Sequence, residues 1–167
     1  MTSDADSPGD TTARDRQGRH AARLAAVQAL YQMDLTQRDL AEVLAEFIVH
    51  RFENSGASVY EGADRDFFRD LVTQTVLRQK EIDAEISAHL AEGWKLARLD
   101  SILRAILRAG TVELAARGDV PVRATINEYL NIAHAFFSGD EPGVVNGVLD
   151  KIARRYRRNE VADTRTS

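Results

Sequence analysis

The chain has 167 residues, 44% of them hydrophobic, which is enough for one domain or two small ones with a proper core. It contains no cysteine, which excludes disulfides, thiolate zinc sites and thiol nucleophiles. A formal net charge of −4 argues against indiscriminate nucleic-acid binding through bulk charge, yet basic residues gather near both ends: Arg14, Arg16, Arg19 and Arg23, then Lys151, Arg154, Arg155, Arg157 and Arg158.

Residues 1–18 are rich in Asp, Ser, Thr and Gly and nearly devoid of apolar side chains, which predicts a disordered arm with a basic end. From Arg19 the pattern turns helical, with Leu24, Val27, Leu30 and Tyr31 on one face. Carried one turn backward, that helix places Arg16, Arg19 and Arg23 at i, i+3 and i+7, a single basic stripe suited to phosphate contact. A second helix is expected over 39–53 through Leu40, Val43, Leu44, Phe47 and Ile48, followed by an Asn-, Ser- and Gly-bearing loop over 54–63. Asp64 starts a third helix through Phe67, Phe68, Leu71, Val72 and Val76. A charged break near Gln79 to Glu81 suggests a domain boundary, and a shorter helix with Ile82, Ile86 and Leu90 follows, closed by Gly93 as a C-terminal cap.

Asp100 is a good N-cap for a helix over 101–117, whose Leu103, Ile106, Leu107, Gly110 and Leu114 form a continuous apolar stripe. Gly118-Asp119 ends it. Ile126, Leu130, Ala133 and Phe137 then recur at helical spacing, as do Val144, Val145, Val148, Leu149, Ile152 and Tyr156. The joint Ser138-Gly139-Asp140-Glu141 carries a capping-box pattern, with Pro142 just inside the next helix. Gly147 interrupts that helix at a cost of about 1 kcal/mol against Ala, so another helix is expected to cross there. With three prolines and no alternating run, the chain reads as all-α. The expected architecture is seven helices in two bundles, three over 19–80 and four over 81–158, with a fraying tail over 159–167.

Catalysis finds little support in these residues. His20, His50, His89 and His134 fall on four different predicted helices at no ligand spacing, and there is no phosphate loop, HExxH or nucleophile elbow. No metal or cofactor is expected. Glu113 and Glu128 are expected to pair with Arg108 and hold neighbouring helices together. Asn127 and Asn146 should cap or cross-link backbone. RNA binding uses the remaining residues better, because single strands stack bases on aromatic rings while arginines hold phosphates. Tyr31, Phe136 and Phe137 are the aromatic residues nearest the basic stripe and the 138–141 loop.

The run GWKLARLDSILRAILRAGTVELAARGDVPVRATINEYLNIAHAFF, followed by GVVNGVLDKIARR, resembles the C-terminal half of the NusB family of bacterial transcription antitermination factors. RHAARLAAVQALYQMDL resembles that family's first helix, and INE, VNG, ILRAG and AVQALY complete the signature from Arg19 to Arg155. The resemblance implies a seven-helix NusB-like fold and binding of boxA-type single-stranded RNA together with the ribosomal protein NusE, within the RNA polymerase antitermination complex on ribosomal RNA operons. Carried over by position, the RNA surface comprises Arg19, His20, Arg23, Gln28, Tyr31, Phe136, Asp140 and Val144. Arg14 and Arg16 add charge to a run sparser in arginine than is usual in the family. Val144 stands where Phe is common, which removes one stacking platform. With no apolar signal region and no bilayer-spanning stretch, the expectation is a cytoplasmic protein without a membrane partner. The alternatives are a non-catalytic accessory domain related to the N-terminal domain of RNA cytosine methyltransferases, and a homodimeric scaffold.

Overall fold

The computed structural model describes residues 8–53 and 60–163, and every regular element among them is helical. The helices are α1 (Pro8–Thr36), α2 (Leu40–Ala45), α3 (Arg65–Leu77), α4 (Gln79–His89), α5 (Ser101–Ala116), α6 (Val122–Phe136), α7 (Glu141–Tyr156) and α8 (Arg158–Asp163). A π-helical turn over Glu46–Arg51 continues α2, and a 3-10 turn over Leu96–Arg98 leads into α5. Aspartates start three of the helices: Asp39 accepts from Ala41 N–H at 2.7 Å, Asp64 from Phe67 N–H at 3.0 Å and Asp100 from Ile102 N–H at 2.8 Å. Each satisfies an amide that the first turn leaves without a partner.

α5 is the central helix. From Ala105 to Leu114 every side chain is buried, and α1, α3, α4, α6 and α7 all pack around it. The charged groups enclosed with it are paired, Arg108 with Asp83 and Glu113 with Arg23, as burial requires. α1 lies against both α3 and α5 through Ala21, Ala22, Ala25, Ala26 and Ala29, small residues that allow close helix approach. One apolar core runs continuously from Ala22 to Ala153. At its N-terminal end Phe47, Phe52, Tyr60 and Phe68 form an aromatic cluster with ring centroids 5.0–6.4 Å apart.

Several expectations need correction. α1 begins at Pro8, inside the stretch 1–18 expected as an arm, and residues 1–7 lie outside the described residues. The extension is tied down at Gly18, whose carbonyl accepts from Asp64 N–H at 2.9 Å. A Cβ at Gly18 would stand 2.8 Å from the Gly62 carbonyl oxygen, so a glycine is needed at that backbone crossing. Most of the 54–63 loop also lies outside the described residues. Gly93 has the left-handed φ of 93°, yet it does not cap α4. The helix ends at His89 with Leu90 already extended, and Gly93 serves the turn closed by Trp94 N–H to Ala91 O at 3.1 Å.

The close helix crossing is at Gly110, not at Gly147. A Cβ on Gly147 would meet nothing within 4 Å, whereas one on Gly110 would stand 2.9 Å from a Leu149 methyl. Nor does the segment after Arg157 fray at once. Glu160 in α8 accepts from Val122 N–H at 2.7 Å and caps α6, whose N-terminal Pro121 has no side-chain oxygen to do so. Arg157 ties the same corner by donating to the Val120 carbonyl at 2.8 Å and to that of Arg117 at 3.3 Å. Helix-to-helix ion pairs exist as expected, but with other partners. Arg108 grips Asp83 bidentately at 2.8 and 2.9 Å, leaving Glu113 and Glu128 to residues of α1. Asn127 and Asn146 are exposed and line a common groove instead of cross-linking backbone.

Candidate nucleic-acid interface

The basic stripe of α1 divides into an exposed part and a buried part. Arg14 and Arg16 are exposed on the outer turns. Arg19 is one-third exposed and pairs with Asp119 at 3.2 Å. His20 shares a 2.6 Å hydrogen bond with Glu128 of α6. Arg23, expected on the stripe, is only 4% exposed: its Nε donates to Glu113 at 2.8 and 3.1 Å, and its Nη2 lies 2.7 Å from the same carboxylate. The reason is geometric. Arg16 and Arg23 share a face, but Arg23 stands two turns further along α1, where Glu113 of α5 lies opposite, while Arg16 lies beyond that contact and Arg19 at its edge. Burial disfavours the charged Arg23, but hydrogen bonds and attraction from Glu113 outweigh it, so its pKa is raised. Burial also raises the pKa of Glu113, against the pull of Arg23.

Phe67 organises this corner. The guanidinium carbons of Arg19, Arg23 and Arg117 stand 5.1, 5.0 and 4.8 Å from its ring centroid. Asp119, Glu113 and Asp70 answer these three arginines, and Glu128 answers His20. The positive charge here is therefore largely matched by carboxylates.

Three further expected residues do come together. Gln28 and Tyr31 of α1 and Phe136 at the end of α6 line one groove of about 270 Å³. Its wall is completed by Val27, Gln32, Leu35, Thr36, Arg51 and Ile102. Leu35 is 58% exposed and Phe136 39%, unusual for large apolar side chains and consistent with a surface meant to be covered. Asp140 and Val144 are not in this groove. They line another one, with His89, Trp94, Gly143 and Lys151. Asp140 does not cap α7 with its side chain, because it has the helical φ of −82° and ψ of −9° rather than the extended geometry a cap needs. Phe137, next to Phe136, points inward and packs against the core.

Sequence reasoning missed Gln32, Leu35 and Arg51. The first two were legible, since they follow Gln28 at i+4 and i+7 on the same helical face. Arg51 carried no such signal; it reaches the groove only because the α2 segment folds back over α1. Among the described residues no cluster of His, Asp or Glu could hold a metal ion, and no helix is long and apolar enough to cross a membrane.

Taken together, the strandless core and its helix-edge grooves are those of a helical binding module, with rings and guanidinium groups at one rim. The chain belongs to the NusB family, whose model matches residues 20–154. A transcription antitermination protein NusB from Rhodopseudomonas palustris is 51% identical over 143 residues, covering 85% of each chain. Another, from Allorhizobium ampelinum, is 49% identical over 158 residues, covering 94% of this chain and 97% of its own. Among solved structures, T. maritima NusB matches with a TM-score of 0.72 at 29% identity, covering 86% of this chain and 96% of that one. The antitermination factor NusB in a crystal structure with NusE and dsRNA matches with a TM-score of 0.69 at 27% identity, covering 84% of this chain and 98% of that one.

Proposed function

We propose that this protein is an RNA-binding transcription antitermination factor that binds boxA-type RNA together with the ribosomal protein NusE and acts within the RNA polymerase antitermination complex in the cytoplasm. It works by binding and not by catalysis. The observation that carries this reading is the groove in which Gln28, Tyr31 and Phe136 meet, two rings and an amide open to solvent in a chain of this family. Rings stack bases of any sequence, and amides read base edges. The relative solved with NusE and dsRNA supports both partners. In this reading Arg14, Arg16, Arg19 and His20 guide phosphates toward the groove, Arg23 holds the helix that presents them, and Asp140 and Val144 flank the RNA path. The helices over 19–80 and 81–158 enter as two bundles bridged by α1.

The test is titration of labelled boxA-type RNA against a scrambled control, with and without NusE. Equal affinity for both RNAs in the presence of NusE would sink the proposal. Reversing Arg16 and Arg19 to Glu should flatten the slope of log affinity against log salt by about 1.4, two single-strand contacts of roughly 0.7 each, with the thermal melt little changed. An unaltered slope would move the phosphate path away from α1.

Asp140 offers a contrasting measurement. An exposed carboxylate beside a phosphate chain opposes binding, so Asp140→Asn is expected to tighten RNA binding about two- to fivefold at low salt, and less at higher salt. Because its side chain makes no capping hydrogen bond, Asp140→Ala should bind and melt like Asp140→Asn. Weaker binding by both variants would mean that the carboxylate accepts a hydrogen bond from the RNA.

A further inference from the structure

The groove has one wall that neither the helical pattern of α1 nor the family signature provides. It comes from the single π-helical turn over Glu46–Arg51, in which Phe52 N–H bonds to the Phe47 carbonyl at 2.9 Å, a spacing of five residues. A turn widened in this way brings side chains five apart into line, and π turns recur at functional sites. Here the aligned pair is Glu46 and Arg51, with Nη2 to Oε1 at 3.1 Å. The Arg51 guanidinium also lies over the Phe47 ring, 4.4 Å from its centroid.

Gln32 of α1 locks the arrangement. Its amide oxygen accepts from Arg51 Nη2 at 3.2 Å and its amide nitrogen donates to Glu46 at 3.0 Å. Arg38 pairs with the far side of Glu46 and with Glu42 at 3.5 Å. Arg51 is thus held in one orientation by a ring, a carboxylate and an amide while its side chain stays 39% exposed. Neither Glu46 nor Glu42 lines the groove, and among the described residues Arg51 is its one charged wall. An oriented guanidinium at the edge of an apolar slot needs little further ordering when it takes up an anion.

We infer that Arg51 is a further RNA-contact residue: its guanidinium holds the phosphate of a nucleotide whose base lies in the groove between Tyr31, Leu35 and Phe136. The inference rests on the RNA-binding reading above and deepens it. The lining selects this occupant over an aliphatic side chain of a protein partner. The Tyr31 and Phe136 rings, with Val27, Leu35 and Ile102 beside them, can enclose a flat heteroaromatic face, the Gln28 amide can meet a base edge, and the single charge matches an anion attached to that same unit. The Arg51 guanidinium is planar and already oriented, whereas a lysine there would present a mobile point charge.

The test uses the full chain with NusE and fluorescently labelled boxA-type RNA, titrated over a series of salt concentrations. Arg51→Gln is expected to weaken RNA binding on the order of tenfold, as for loss of a charge-assisted hydrogen bond, and to flatten the salt slope by about 0.7, one single-strand phosphate contact. Arg51→Lys should retain the wild-type slope while losing part of the affinity. Leu35→Glu, on the exposed rim, puts a carboxylate where the phosphate is expected and should also weaken binding, without depending on the packing of Arg51 against Phe47. Wild-type affinity and slope in Arg51→Gln, or wild-type binding by Leu35→Glu, would overturn the assignment. So would weaker binding of Arg51→Gln with an unchanged slope, which would make Arg51 a packing residue. Loss of NusE binding with RNA affinity intact would make the groove a protein-docking surface and overturn it as well. If the wild-type protein with NusE fails to bind the RNA at all, the functional reading falls first and this inference with it.

Discussion

Arg23→Ala is expected to lose about 3–5 kcal/mol of folding stability, the cost of removing one partner from a buried ion pair. Arg23 is 4% exposed, and its partner Glu113 is wholly buried. Without the guanidinium, Glu113 keeps its desolvation penalty and loses the three contacts that offset it. The pH dependence follows from the direction of the Glu113 shift. Burial raises its folded pKa above the ordinary 4.5, and loss of Arg23 should raise it further. A raised folded pKa gives stability that is fully present below the unfolded value and lost as pH rises through the folded one. The deficit of Arg23→Ala should accordingly be largest at neutral pH and shrink on acidification. Urea unfolding at several pH values measures it. Replacing both partners by apolar residues, Arg23→Met with Glu113→Leu, should recover most of the loss. A single-variant loss under about 1 kcal/mol would mean that water reaches the pair and that Arg23 behaves as a surface cation.

Gly110→Leu should destabilise the protein by about 1–3 kcal/mol or more through overpacking, while Gly147→Leu should be nearly neutral. A Cβ at Gly110 would already stand 2.9 and 3.1 Å from the two Leu149 methyls and 3.4 Å from the Tyr129 ring. Both neighbours are 0% exposed, so neither can swing into solvent to make room. At Gly147 a Cβ would meet open space, and Gly147→Ala should stabilise the helix by up to about 1 kcal/mol. The contrast is read from urea midpoints of the parent and the substituted proteins. Tolerance of Leu at position 110 would show that α5 and α7 can separate, and that the crossing is looser than its geometry implies. If Gly147→Ala preserves folding but impairs assembly with NusE, an external partner approaches α7 there.

Much of this protein was legible in its residues alone. Periodicity located α3, α5, α6 and α7, and Asp64 and Asp100 marked two helix starts, because capping and amphipathic spacing are local properties. The motifs AVQALY, ILRAG, INE and VNG pointed to the family. Gln28, Tyr31 and Phe136 were singled out before any geometry, and the fold brings α1 and the end of α6 together around them. Other features were decided elsewhere. Whether an arginine on a helical stripe is a ligand for phosphate or for a buried carboxylate depends on what lies opposite, and for Arg23 that is Glu113, ninety positions away in the chain. Which of two mid-helix glycines marks a crossing depends on where another helix passes, and Leu149 reaches Gly110 but nothing reaches Gly147. Arg51 joins the groove for the same reason, since a π turn and a folded-back segment set its place. The sequence by itself determined α3, α5, α6 and α7 and the family they compose, because amphipathic spacing and capping depend on neighbours a few residues apart. The tertiary structure alone decided which charges face water and which face each other, because desolvation and pairing are set by side chains distant in sequence and adjacent in space.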